Sequence, residues 1–355
     1  MTQVHSVTVG RVSYPLSEPF TISTGTQDTA DVMRVVVTDD SGTMGVGEAA
    51  PVPHVVGHDI DATVVAAEAL AELLDRADPT EIRSHHRRMW AHPAANVSAI
   101  HALETALVDL ICRNWSIPMA AYLGGPPRPV RTDMTIPIVD PTVAEVRARA
   151  ATEAGFDQLK IKTGGDVDAD LARVEAVAAA APGATLTVDA NQGWTGDGTR
   201  AFMRGLDARG IELRLLEQPL PADDLSGLRR LREQLSVPIA VDESVFSPAD
   251  AHTVISAGAA DIINIKLAKA GLIGAVDIAA VAAAGGVDVM IGCMLESAIG
   301  IHTSAHLVAG VGGFVHVDLD GNQLLEADVV DSPGGPAIRP DGPGHGVIPQ
   351  PSNSG

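Results

Sequence analysis

Eight short β-like runs, each followed by a stretch with helix signals, constrain the fold of this 355-residue chain more than anything else in it. They cover residues 130–139, 158–163, 185–191, 213–219, 238–244, 261–266, 288–294 and 314–320, spaced roughly 22–30 residues apart, the texture of repeated βα units. Ser247-Pro248 supplies an N-cap followed by proline in the first helical turn, and Gly258 supplies the stop. Parallel strands with intervening helices predict a (β/α)8-type barrel. A doubly wound open sheet is the other candidate, but no Gly-x-Gly-x-x-Gly follows the first run to support it.

Ahead of these repeats the texture differs. Residues 4–14, 33–38 and 44–48 alternate apolar and polar, which reads as antiparallel strands with Ser41-Gly42 at a turn. Residues 60–77 and 97–113 have helical period, so residues 1–125 form an α+β unit. Gly124-Gly125-Pro126-Pro127 marks the linker, and residues 331–355 are Pro/Gly-rich, expected to pack irregularly or fray.

Composition narrows the function classes. With 45 Asp+Glu against 24 Lys+Arg, a formal charge of −21, no basic stripe exists to neutralise nucleic-acid phosphates. The apolar runs fall short of the ~20 residues that span a bilayer, and residues 1–11 lack a secretory pattern. Cys112 and Cys293 form no disulfide framework, so a reducing, cytoplasmic compartment is expected.

In such barrels the chemistry sits at the C-terminal strand ends. The second run ends Lys160-Ile161-Lys162, the third Asp189-Ala190-Asn191, the fourth Glu217-Gln218-Pro219 and the fifth Asp242-Glu243-Ser244. The sixth ends Asn264-Ile265-Lys266, the seventh leads into Cys293-Met294-Leu295-Glu296, and the eighth ends Asp318-Leu319-Asp320. One such acid alone reads as a solvated loop residue or a helix cap. Asp189, Glu217 and Asp242 on consecutive strands would repel one another, and a hard cation such as Mg²⁺ removes that repulsion.

Lys162 and Lys266 lie on opposite walls of an eight-stranded mouth. A proton can therefore leave one face of a carbon and return to the other. Lys160 shares the inward face with Lys162 and provides a second cation that disfavours its neighbour's charge. Arginine stays protonated near neutral pH, so it could not replace a base here. The chain has only four lysines, and Lys160, Lys162 and Lys266 all end runs, while Lys269 reads as solvated. Asp318 and Asp320, across the mouth from Glu217, suit an organic cation. A molecule with a carboxylate at the metal end and an amine at the other fits, the simplest being a dipeptide.

These motifs resemble the enolase superfamily and, within it, the muconate lactonizing enzyme subgroup. The resemblance spans nearly the whole chain and implies a (β/α)7β modified TIM barrel at residues 126–325. It also implies an α+β capping domain at 1–125 and a C-terminal segment, 326–355, that returns to the cap. Asp318-Leu319-Asp320 looks like the Asp-x-Asp with which dipeptide epimerases hold the substrate ammonium. Residues 292–296 and Thr135 resemble that group too, which implies substrate contacts for Thr135, Cys293 and Glu296. In L-Ala-D/L-Glu epimerases the capping loop at 21–26 carries an arginine for the glutamate side chain. Here it carries no cation, so small or apolar side chains are expected. His54 and His58, in a second loop at 51–58, read as solvated.

The expectation is an isomerase: an epimerase with one Mg²⁺ per subunit, inverting a dipeptide's C-terminal α-carbon through an enediolate. It is expected to be a homo-oligomer with no nucleic-acid or membrane partner. Lys160 would orient the substrate carboxylate. The same half-reaction serves a cycloisomerase, an N-acylamino acid racemase or an o-succinylbenzoate synthase-like dehydratase, and a non-catalytic binding protein is the reading from another class. The first run reads Thr132-Asp133-Met134-Thr135, without the His-x-His of a zinc or binuclear hydrolase.

Overall fold

The computed structural model describes residues 2–23, 25–330 and 334–347. Three antiparallel strands open the chain: β1 (Val4–Ile22), β2 (Gly25–Asp39) and β3 (Met44–Ala49), in the order β1-β2-β3. The expected Ser41-Gly42 turn is present, and Asp39 Oδ1 accepts the amides of Ser41 and Thr43, both at 2.9 Å. Helices α1 (Pro53–Val56), α2 (Ile60–Ala71), α3 (Ile82–Trp90), α4 (Val97–Trp115) and α5 (Met119–Tyr122) complete the cap.

One expectation for this region fails. Residues 21–23, 25 and 26 are not a loop but the end of a long hairpin, with Thr21 paired to Thr26 and Ile22 to Gly25. Thr24 lies outside the described residues. Pro15 and Pro19 disguised the strand. They are tolerated because β1 is an edge strand, and the register shifts between Pro15 and Phe20. Residues 53–56, expected as loop, form α1.

The barrel begins after a short strand, β4 (Val130–Arg131). Its strands are β5 (Met134–Ile136), β6 (Gln158–Lys162), β7 (Thr185–Asp189), β8 (Leu215–Glu217), β9 (Ile239–Val241), β10 (Ile262–Ile265), β11 (Asp288–Ile291) and β12 (Phe314–Val317). Each hydrogen-bonds in parallel to the next, and Asp133 N donates to Val317 O at 3.1 Å where the first and last strands meet. Seven helices connect these eight strands: α6 (Pro141–Glu153), α7 (Val167–Ala180), α8 (Gly196–Asp207), α9 (Leu225–Gln234), α10 (Pro248–Ala257), α11 (Leu267–Gly285) and α12 (Ala298–Val311). This is the expected (β/α)7β architecture. The first predicted run is split, because Val130–Arg131 leaves the barrel to pair antiparallel with β13 (Ala337–Ile338).

Strand alternation sets the interior. Leu215, Ala240, Ile262 and Met290 pack together as an apolar layer. Two residues further along their strands come Glu217, Asp242, Asn264 and Gly292, so the same inward face carries the polar layer above. Helix α11 is 19 residues long and apolar enough, by length and composition alone, to cross a membrane. It is instead a buried helix broken at Gly271 (φ +71°), and Glu104 of α4 accepts the amide of Ile273 at 3.1 Å beyond the break. The tail runs back over α4 and α5: His345 N donates to Asp109 Oδ1 at 2.9 Å and Met119 N to Gly344 O at 2.8 Å. Residues 331–333 and 348–355 of the expected C-terminal segment lie outside the described residues.

The cap sheet meets α4 backbone to backbone. A methyl group at Gly45 would lie 2.2 Å from Ala106 O, and one at Gly47 would lie 2.0 Å from Ala102 O. Gly10 of β1 has nothing within 4 Å of such a group. Gly47→Ala should therefore destabilise the protein by about 1–3 kcal/mol or more in urea unfolding, while Gly10→Ala stays within ~1 kcal/mol of the parent.

Candidate active site

The β6 to β10 strand ends converge on one mouth, and the cap closes over it. Ile138 N donates to Thr21 O at 2.9 Å and Ser23 Oγ to Asn191 O at 3.0 Å, so the hairpin tip is fastened to the barrel rim. The cavity beneath holds about 820 Å³, part of it open to solvent. Its lining includes Lys162, Asp242, Lys266, Thr135, Cys293, Asp318 and Asp320 from the barrel, and Phe20, Ile22, Val52, His54 and Val55 from the cap.

The predicted acids and lysines meet as one buried lattice. Lys160 Nζ lies 2.7 Å from Asp318 Oδ2, 2.8 Å from Glu217 Oε2 and 3.0 Å from Asp189 Oδ2. Lys162 Nζ donates to Asp189 Oδ2 at 2.7 Å and to Asn191 Oδ1 at 3.2 Å. Lys266 Nζ is 2.7 Å from Asp242 Oδ2. The register pairs Lys162 with Asp189 and Asp189 with Glu217, and β6 and β10 stand four strands apart in the order, on opposite walls.

Burial alone would raise the pKa of Asp189, but Lys160 and Lys162 hold its carboxyl far below the usual range. Asp242 behaves likewise against Lys266 and Lys269. Burial also opposes charge on Lys266, and Asp242 overcomes it, keeping the ammonium well above the usual lysine range. Glu217 differs: burial and the neighbouring Asp189 push it upward. Its Oε1 accepts Asn264 Nδ2 at 2.7 Å, while its buried Oε2, although close to Lys160, makes no hydrogen bond.

The strand ends are strained. Asn191 (φ +41°) and Gln192 (φ +68°) follow Asp189, and Gln218 (φ +36°) follows Glu217 directly. Left-handed backbone at such residues costs about 1–3 kcal/mol each. Side-chain bonds hold it: Asp242 N donates to Gln218 Oε1 at 2.8 Å, and Ala222 N to Gln192 Oε1 at 2.9 Å.

Across the mouth, Asp320 Oδ2 accepts the amide of Thr135 at 2.5 Å. Burial and Asp318 push the Asp320 carboxyl up to about 6. Cys293 Sγ and carboxylate oxygens of Asp318 and Asp320 lie within 4.8 Å of one another. Burial drives the Cys293 thiol well above its usual range, so this cluster presents two carboxylates and a neutral thiol. Beneath it, His316 Nε2 lies 2.8 Å from Asp133 Oδ2.

Three expectations change. Lys269 is not solvated: it is 2 % exposed, and its Nζ donates to Asp242 Oδ1 at 2.5 Å, to Asp242 O, and to Asn264 O at 3.3 Å. Lys160, expected against the substrate, is 1 % exposed, enclosed by acids and absent from the cavity lining. Glu296 does not line the cavity either; its Oε1 accepts Met294 N at 3.3 Å and its side chain packs on Gly300. Lys269 and Asn264 were missed as site residues. The available signals were Lys269 three residues after Lys266, in the first turn of a helix starting there, and Asn264 two residues before it, hence on one strand face.

A (β/α)7β barrel with acids and lysines at its mouth, closed by an α+β cap, is the architecture of the enolase-like proteins. Residues 4–124 match the mandelate racemase/muconate lactonizing enzyme N-terminal domain, and residues 143–353 match the enolase C-terminal domain-like family. The chain belongs to the mandelate racemase/muconate lactonizing enzyme family of the enolase superfamily. It is 38% identical to an aromatic dipeptide epimerase of Herpetosiphon aurantiacus over 90% of both chains. It is 35% identical to a hydrophobic dipeptide epimerase of Citrifermentans bemidjiense over 98% of both. The dipeptide epimerase of Enterococcus faecalis, solved with Mg and the dipeptide L-Leu-L-Tyr, superposes with a TM-score of 0.93 at 33% identity, covering 97% of this chain and 99% of that one.

Glu296 carries a pH prediction. Burial pushes its carboxyl up to about 8, and nearby Glu48 adds to this. A raised carboxyl keeps its proton in the folded state and loses it on unfolding. Stability from this group is therefore full below the unfolded value of about 4.5 and falls as pH rises toward 8. Glu296→Gln removes that loss, so its stability relative to the parent should improve by about 1 kcal/mol or more between pH 5 and pH 8. Urea unfolding at both pH values checks this, and parallel pH dependences would refute it.

Proposed function

We propose that this chain is a magnesium-dependent dipeptide epimerase that inverts the α-carbon of the C-terminal residue. The observation that carries this reading is the pair Lys162 and Lys266, each seated on a buried aspartate at opposite walls of a mouth that also holds Asp318 and Asp320. The relatives named as dipeptide epimerases support it.

Asp189, Glu217 and Asp242 would hold the metal. They are an all-oxygen set, 0 %, 0 % and 2 % exposed, and Glu217 Oε2, which accepts no hydrogen bond and has only the Lys160 ammonium beside it, fits a hard cation. When bound, Mg²⁺ supplies a Lewis acid for the substrate carboxylate, stabilising the negative charge that builds as the α-proton leaves. Lys162 takes the proton on one face and Lys266 returns one on the other, or the reverse for the opposite epimer. Asp318 and Asp320 receive the substrate's ammonium group. Thr135 holds Asp320 through its amide, and Cys293 packs beside both acids without carrying charge. Lys160 balances Asp189, Glu217 and Asp318 from behind rather than touching substrate.

Side-chain preference follows from the walls. Phe20, Ile22, Val52 and Val55 face the mouth from the cap, and Met294, Leu295 and Leu324 line it beside Asp318 and Asp320. Apolar residues at both positions of the dipeptide fit such walls better than charged ones. The reading also takes residues 1–125 as cap, 126–325 as catalytic barrel and 326–355 as the segment returning to the cap. The free Cys112 and Cys293 fit a cytoplasmic setting.

The decisive experiment is incubation of apolar L,L-dipeptides with enzyme and Mg²⁺ in D₂O. Deuterium should enter the C-terminal α-carbon as the L,D epimer forms; a broad dipeptide library left wholly unlabelled would sink the proposal. Asp320→Asn keeps an acceptor for the Thr135 amide and, unlike a change at Asp318, leaves Lys160 its partners. It should lower kcat/KM for dipeptides by roughly 100-fold or more, in line with a lost buried charge-assisted contact. The same substitution should leave turnover of N-acylated substrates, which carry no ammonium, within a few-fold.

A further inference from the structure

Among the lysines of the mouth, Lys269 has no part in the reaction as drawn. It sits in the first turn of α11, three residues after Lys266, and its side chain runs back toward the barrel. Its Nζ has three hydrogen-bond donors and three acceptors: Asp242 Oδ1 at 2.5 Å, the main-chain oxygen of Asp242, and Asn264 O at 3.3 Å. The Phe246 ring lies 5.3 Å away and covers it. Lys269 is 2 % exposed and absent from the cavity lining.

The two aspartates of the mouth are held in different ways. Asp189 Oδ1 accepts a backbone amide, that of Asn191 at 2.9 Å, and Oδ2 is left to the lysines. Among the described residues, the Asp242 carboxylate receives hydrogen bonds and ion pairs from lysines alone: Lys269 at Oδ1 and Lys266 at Oδ2, the latter at 2.7 Å. Lys269 therefore does for Asp242 what a backbone amide does for Asp189. Without it, Oδ1 loses its ammonium partner among the described residues, and the other ammonium at that carboxylate is Lys266. Lys266 would then be drawn across the carboxylate and away from the mouth.

We propose that Lys269 is a positioning residue for one stereochemical half of the reaction: it fixes Asp242 and thereby leaves Lys266 free to reach the substrate from its own face. The proposal rests on the epimerase reading above. Lys162, on the opposite wall and seated on Asp189, does not depend on Lys269.

The test measures initial α-proton exchange in D₂O, at saturating Mg²⁺, from the L,L and the L,D dipeptide separately. Lys266→Ala and Lys162→Ala identify which epimer presents its proton to which lysine. In Lys269→Met, exchange from the epimer served by Lys266 should fall roughly 10- to 100-fold, the range for loss of a supporting contact. Exchange from the other epimer should stay within about threefold of the parent, an asymmetry that general destabilisation does not produce. Equal loss from both epimers, or no loss from either, overturns the proposal. Should Lys269→Met fail to fold by circular dichroism, Lys269→Gln, which retains a neutral donor, is expected to show the same bias, and equal rates for the two epimers relative to the parent overturn it there. If the parent enzyme itself exchanges neither epimer, the epimerase reading has failed rather than the role of Lys269.

Discussion

Charge in the interior of this barrel is sustained by alternation. Lys160 stands among Asp189, Glu217 and Asp318, Lys162 bonds Asp189, and Lys266 and Lys269 divide the two oxygens of Asp242. Desolvating an ion costs several kcal/mol, and removing one partner from a buried pair typically costs about 3–5 kcal/mol, because the other is stranded. Asp189, Glu217, Asp242 and Asp318 therefore each need an ammonium within reach, from an adjacent strand or from further round the barrel. The pairing of Lys162 with Asp189 across β6 and β7 meets that requirement, while the apolar layer of Leu215, Ala240, Ile262 and Met290 beneath keeps the strands aligned.

The same lattice accounts for the left-handed backbone at Asn191 and Gln218. A strand that ends on an inward acid has to leave the barrel sharply if its next residues are to stay out of the mouth. The positive φ values accomplish this, and the side-chain bonds of Gln192 and Gln218 to neighbouring main chain hold them there. The strain sits at the site and its compensation in the surrounding loops.

Much of this was legible in the chain. Asp189, Glu217, Asp242, Lys162 and Lys266 announce themselves because each closes an apolar run, where a strand's period of two leaves little freedom over which face they join. The barrel was readable from the recurrence of such runs. Lys269 was not, because α11 begins immediately after Lys266 with no loop between, and periodicity alone does not say that this first turn lies over the mouth rather than in water. The long hairpin was hidden by Pro15, Pro19 and a Thr/Ser-rich stretch, since the register that carries β1 past them comes from its partner strand rather than from its own composition. Glu296 misled for a similar reason: its neighbours Cys293, Met294 and Leu295 face the cavity, but the chain turns into α12 at Ser297 and takes the carboxyl away from the cavity lining.

The hairpin has a consequence for how such a molecule diversifies. Phe20 and Ile22 reach the mouth from a two-stranded ribbon, whereas the reacting groups stand on barrel strands. Lengthening or shortening the ribbon by one rung, a residue from each strand, turns a different face of it toward the mouth. Changing it by two rungs keeps the face and slides the wall by roughly 7 Å. A lineage can therefore exchange one binding wall for another in discrete steps while the lattice of lysines and acids below is left untouched, as a lathe keeps its bed when the tool post is changed.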